Sequence, residues 1–269
     1  MSRARQLTQL SLLAVFACVA VYVLALGTSW GLDADERALP AGVSGPTWER
    51  AHHALHRVVD TIHVTTIAVA GLLAVLVALR RKRRDLAGVA VATLIGANVT
   101  TALLKPLLAR TDPLGGEADR LISGAFPSGH ATAAMSLALV AVIVAPRGWR
   151  PAVALGAAAY AAAVGVGLVV IFAHYPSDVV GGYMVAGAWA TAMAAIALAR
   201  RERTIHVPPA RTPSLGTIGS VGGLVLAAGA LLLAPASQLG HGVFAVSAVA
   251  IAALALLLPV GLTVFLSRS

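Results

Sequence analysis

Three short polar groups interrupt an otherwise apolar chain: KPLLARTDP (105–113), FPSGH (126–130) and HYPSD (174–178). In the second, Ser128 stands where a helix N-cap is expected, just ahead of an apolar run. A helix N-terminus offers free N–H groups and the positive end of a dipole, which together make an anion site. Gly129 lacks a side chain, so an anion can approach the backbone closely. His130, in the first turn, would face the same anion and is able to give it a proton. In the third group His174 and Asp178 are four residues apart. Pro176 disfavours helix at Tyr175 and suits a helix start, so His174 is expected to end a loop and Asp178 to open a helix. A carboxylate beside an imidazole fixes its tautomer and favours its charged form, which prepares a nucleophile or base. Lys105, at the end of an apolar run, either snorkels outward or, facing an anion site, becomes a phosphate ligand. Each group alone also has a plain structural reading: a capped helix with an interfacial histidine, a self-satisfied His–Asp pair, a snorkelling lysine.

The elements that must position these groups are membrane helices. The chain has 269 residues, 58% of them hydrophobic and only 12% charged, against about 25% charged in soluble domains. Eight apolar runs fall at roughly 10–27, 58–79, 86–104, 129–145, 152–172, 179–199, 215–234 and 243–266, near the ~20 residues a span requires. An open sheet cannot satisfy its backbone in lipid, and the alternation of barrel strands is absent, so helices are expected. The first run admits two readings, a signal peptide or an uncleaved span. Its ~18 apolar residues exceed the usual 7–15 of a signal sequence, which favours the span.

Basic residues set the orientation. With the N-terminus inside, the inner segments hold 14 basic and 2 acidic residues, net +12, against 6 and 9, net −3, elsewhere. That is the positive-inside pattern. The run Arg80–Arg84 is read as a topology anchor and not as a nucleic-acid patch, so anionic lipid headgroups are the partners that the +9 net charge implies. Under this topology all three polar groups face outward at one membrane level. Polar groups at membrane depth are costly and mark function. The single cysteine, Cys18, excludes an intramolecular disulfide. The expected organisation is an all-α polytopic membrane bundle, with a six-span core (1–205), an inner linker (206–214) and two further spans (215–269).

A second cluster, ERAHHALHRVVDTIH (49–63), places His52, His56 and His63 at spacings of four and seven with Asp60 between. On one helix these share a face. The face is either a zinc or copper site or the wet side of an amphipathic interfacial helix, and the second reading is favoured. Trp30 and Trp48 fit interface anchors.

In order and spacing, Lys105, Pro113, Pro127-Ser128-Gly129-His130, His174 and Asp178 resemble the motifs of the type 2 phosphatidic acid phosphatases, the lipid phosphate phosphatases, over about residues 55–200. The resemblance implies a metal-independent phosphatase with no cofactor, acting on a lipid or isoprenoid phosphate. It implies His174 as nucleophile, Asp178 as its orienting carboxylate and His130 as acid and base. Lys105, Ser128 and Gly129 would hold the phosphoryl oxygens. Two arginines of the pattern are replaced. Asp112 stands six residues after Lys105, and Leu168, preceded by Gly167, stands six before His174. Arg110 is the expected substitute cation, with Arg120 a more distant one.

Overall fold

The structure is a computed structural model that describes residues 2–40, 42–108, 126–204 and 242–267. Among them are nine α-helices and no strand. These are α1 (Arg3–Leu26), α2 (Ser29–Arg37), α3 (Pro46–Val59), α4 (Val64–Arg80), α5 (Arg84–Leu107), α6 (Gly129–Val144), α7 (Arg150–Val170), α8 (Pro176–Thr204) and α9 (Gly242–Ser267). Five of them are long and apolar enough to cross a membrane, and the pair α3–α4 brings the number to six if it counts as one span. The chain is a polytopic helical membrane protein, as the composition predicts. The run 215–234 and the linker 206–214 lie outside the described residues.

α6 is the axis of the bundle. Its 16 residues rise about 24 Å, short of the ~30 Å hydrocarbon core. A short helix is tolerated here because it is enclosed on nearly all sides: Ala131 to Ser136 are all buried, as are Leu139 and Ile143. α5, α7, α8 and α9 pack around it, and Ile251, Leu254 and Ala255 of α9 join the same core. α1 lies along α8, where Ser11 Oγ donates to Ala188 O at 2.9 Å. Its other flank carries Leu12, Phe16, Val19 and Val23, all exposed, as expected of a helix solvated by lipid.

The expected second span, 58–79, is not one straight helix. α3 ends at Val59 and α4 starts at Val64, with a 62° bend between them. The cause is local. Thr61 Oγ1 turns back to Val58 O at 2.6 Å and also meets Tyr160 of α7 at 2.7 Å, and His63 is extended. Trp48, expected at the interface, stands edge-on to Phe244 of α9 with ring centroids 5.9 Å apart.

Chain order alone sorts the loops. The C-terminus of α5, the N-terminus of α6 and the α7–α8 turn share one end of the bundle. The α4–α5 turn, the α6–α7 turn and the C-terminus of α8 share the other, together with Arg80–Arg84, Arg147, Arg150 and Arg201.

Candidate active site

The α7–α8 turn is closed by backbone bonds. Ala173 N–H and His174 N–H both reach Leu168 O, at 2.9 and 3.2 Å, and Phe172 takes the left-handed conformation, φ 57°. A non-glycine residue there costs about 1–2 kcal/mol. α8 then begins at Pro176, so Asp178 falls in its first turn, as expected. Asp178 Oδ2 accepts from Tyr175 N–H at 3.0 Å and lies 3.4 Å from His174 Nδ1. Both side chains are buried, 9% and 0% exposed. At 3.4 Å the pair is a long hydrogen bond.

Ser128 is the N-cap of α6, its Oγ accepting from Ala131 N–H at 3.3 Å. The cap and the His–Asp pair are joined through the main chain: Ser128 N–H donates to Asp178 O at 2.9 Å. Thr132 Oγ1 donates to Ser128 O at 2.8 Å and meets Thr101 of α5 at 3.0 Å, which fixes the end of α5 that carries Lys105. Lys105 Nζ lies 3.8 Å from where a Cβ on Gly129 would stand. His130 is exposed at the mouth and shares an electrostatic neighbourhood with His174, Lys105, His63 and Asp60. Thus Lys105, Ser128, Gly129, His130, His174 and Asp178 gather at one end. Arg110, Asp112, Pro113 and Arg120 lie outside the described residues.

A close helix approach makes this possible. A Cβ on Gly182 would sit 2.7 Å from Ser128 O and 3.0 Å from Thr132 N, and one on Gly181 would sit 2.5 Å from the Phe126 ring. Only with both side chains absent does α8 lie flush on the N-terminus of α6. The pair Gly181-Gly182, three residues after Asp178, is a signal the sequence reading passed over. It also missed Asp35. This buried carboxylate of α2 accepts from Ser177 Oγ at 2.5 Å and from Ser177 N–H at 3.3 Å, tying α2 to the start of α8.

Of the two departures from the arginine pattern, only Leu168, preceded by Gly167, falls among the described residues. Leu168 is 1% exposed and belongs to the hydrophobic core. A Cβ on Gly167 would meet Val59 Cγ2 at 2.9 Å and Leu55 O at 3.3 Å, so α3 packs directly on α7 there. The histidine face predicted over 49–63 is corrected. The break after Val59 removes His63 from α3, and His56 pairs with Asp60 at 2.8 Å on the exposed side. Among the described residues no three His, Cys, Asp or Glu side chains are grouped to hold a metal ion.

Chemically, the mouth combines an oriented imidazole, a second imidazole, an ammonium and a capped helix N-terminus. Such a set suits attack on a phosphoryl group and protonation of the group that leaves. No curated protein and no solved structure matches the chain. The family model described as the PAP2 superfamily matches residues 86–202, the stretch that holds all six of the gathered residues. The match over residues 86–202 is consistent with a type 2 phosphatidic acid phosphatase superfamily member and supports a phosphatase-type activity on phosphate esters.

Proposed function

We propose that the chain is a lipid phosphate or diphosphate phosphatase acting at the outer face of the cell membrane, with both termini in the cytoplasm. The observation that carries this reading is the buried His174–Asp178 pair, tied by the Ser128–Asp178 backbone bond to the helix N-terminus that Gly129 and Lys105 flank. Asp178 accepts the Nδ1–H of His174, leaving the Nε2 lone pair to attack phosphorus. The P–O bond to the lipid breaks as His130 gives its proton to the departing oxygen. His130, now neutral, takes a proton from water, whose oxygen attacks phosphorus. The P–N bond breaks, releasing phosphate and returning His174. Ser128, the Gly129 N–H, Lys105 and Arg110 hold the phosphoryl oxygens throughout. These ligands are all protein groups, so the reaction is expected to run without metal. An acceptor alcohol in place of water makes the same site a phosphotransferase. The substrate is an amphiphile with its tail between helices, a glycerolipid or isoprenoid phosphate. Residues 1–205 form the catalytic core in this reading, with 206–214 a linker and 215–269 an addition.

The burial of Leu168 supports a second reading, a catalytically weakened relative that binds or moves lipid on the same frame. One experiment separates the two. Purified protein is assayed for phosphate release from a panel of lipid and isoprenoid phosphates, with and without chelator, beside His174→Ala. Release that survives chelator and vanishes in His174→Ala supports the phosphatase. Binding of the same lipids without release supports the weakened relative. Release lost in chelator and restored by zinc overturns the metal-free mechanism.

A further inference from the structure

At the end of the bundle opposite the candidate active site lies a cavity of about 90 Å³, lined by Arg81, Arg83, Arg147, Arg150, Arg201 and Asp85 among apolar side chains. One water molecule's share of liquid is about 30 Å³, so the space exceeds a single water. Five guanidinium groups face one carboxylate. Asp85 is already engaged by Arg83 in a bidentate pair at 3.0 and 2.9 Å, and Arg201 reaches it only at 3.8 Å.

Two of the arginines are fixed by helix ends. Arg81 Nη1 donates to Val144 O of α6 at 2.5 Å, and Arg150 Nη1 to Leu266 O of α9 at 2.6 Å. A guanidinium has five N–H donors, so one such bond leaves most of them free. Arg150 is only 6% exposed, and its Nε has no hydrogen-bond partner among the described residues. Its charge is repelled by Arg147, Arg81 and Arg83. Five cations crowded around a buried donor, with Asp85 the one carboxylate among the described lining residues, are unfavourable. Anchoring this cluster in the membrane requires none of that crowding, because positive-inside residues act equally well spread over loops.

We infer that this arginine-lined cavity is a second anion site, which binds a phosphoryl group, either the headgroup of an anionic lipid or free phosphate. The fork geometry of arginine matches phosphate oxygens in pairs. Arg150 forms the floor and the exposed Arg147 and Arg201 form the rim. By the charge count this end faces the cytoplasm, away from the site where phosphate would be released. The inference does not rest on the phosphatase reading.

The test is site-resolved arginine labelling of the full chain in phosphatidylcholine nanodiscs with phenylglyoxal, read by peptide mass spectrometry. One arm adds inorganic phosphate at constant ionic strength, and the other places phosphatidic acid in the nanodisc. Slower labelling of Arg147, Arg150 and Arg201, with exposed Arg5 unaffected, is the expected result. Protection by phosphate identifies the free anion as sufficient, and protection by phosphatidic acid alone identifies the lipid headgroup. Protection in neither arm, or equal protection of Arg5, overturns the site. Arg147→Gln with Arg201→Gln removes rim cations that carry no buried hydrogen bond. It should raise the half-protecting concentration read on Arg81 about tenfold or more, the loss of one to two charge-assisted bonds. An unchanged concentration overturns the inference, as does loss of the protection in His174→Ala, which would place the anion at the other end.

Discussion

Replacing Gly182 with alanine tests whether the flush contact between α8 and α6 builds the active site. The added Cβ would lie 2.7 Å from Ser128 O, with Thr132 N and Oγ1 both at 3.0 Å. Two of these are backbone atoms of a buried helix start and cannot rotate away. Ordinary contact begins at 3.4 Å, so α8 must retreat by about 0.7 Å. A movement of that size along the 2.9 Å bond from Ser128 N to Asp178 O takes it beyond hydrogen-bond range. Overpacking of this kind costs about 1–3 kcal/mol, or a fall in unfolding temperature of roughly 2–12 °C. Misplacing a catalytic group by ~1 Å costs about a hundredfold in rate, so turnover should drop between about tenfold and a hundredfold. The assays are thermal unfolding in detergent and phosphate release from a lipid phosphate. Gly187→Ala is the control on the same helix, because its Cβ would meet only the flexible Leu258 side chain at 3.4 Å. The reasoning is refuted if Gly182→Ala matches the unsubstituted protein in both assays, or if Gly187→Ala is equally damaging.

Asp178→Asn preserves shape but removes the negative charge that fixes the His174 tautomer and stabilises its charged form, so phosphate release should fall about 10²–10⁴-fold with little change in unfolding temperature; full activity would remove Asp178 from the mechanism. Ser177→Ala removes the hydroxyl bond to the buried Asp35 while keeping the backbone N–H bond and should lower stability by about 1–3 kcal/mol, measured by chemical or thermal unfolding, with Asp35→Asn partly relieving the loss. Leu168→Arg should destabilise and not restore, since the position lies 1% exposed in the core and an unpaired buried charge costs about 3–5 kcal/mol; a stable variant with raised turnover would support the weakened-relative reading. Arg110→Ala should reduce turnover at least tenfold, about 1.4 kcal/mol, if Arg110 supplies the displaced cation, and steady-state kinetics decide the matter.

Much of the site was legible because its local rules are strong. The N-cap role of Ser128 and the first-turn place of Asp178 follow from residue type and from Pro176. The charge count put Lys105, His130 and His174 at one end before any packing was known. What escaped the sequence depends on partners distant along the chain. The helix break at 60–63 is held partly by Tyr160, a hundred residues away. Asp35 looks like an ordinary surface acid in GLDADER until Ser177 covers it. Gly181-Gly182 reads as two small residues among many in an apolar run. Leu168 reads as one more apolar residue in its run, and the packing of α3 on the adjacent Gly167 has no signal in the sequence. The five arginines of the cavity, Arg150 among them, come from three separate inner segments, each of which is explained alone as a topology anchor.

The bond from Ser128 N–H to Asp178 C=O has a further consequence. It joins the two halves of the site through groups that every residue except proline possesses in full. Substitution of side chains around the mouth therefore leaves the alignment of α6 and α8 untouched, provided Gly181 and Gly182 stay bare. Residues that grip a substrate can drift while the coordinate frame beneath them is inherited unchanged. A chain built this way can lose two cations, or gain new ones from a neighbouring loop, and still present its imidazoles in register. Divergence in substrate preference is then cheaper than divergence in chemistry.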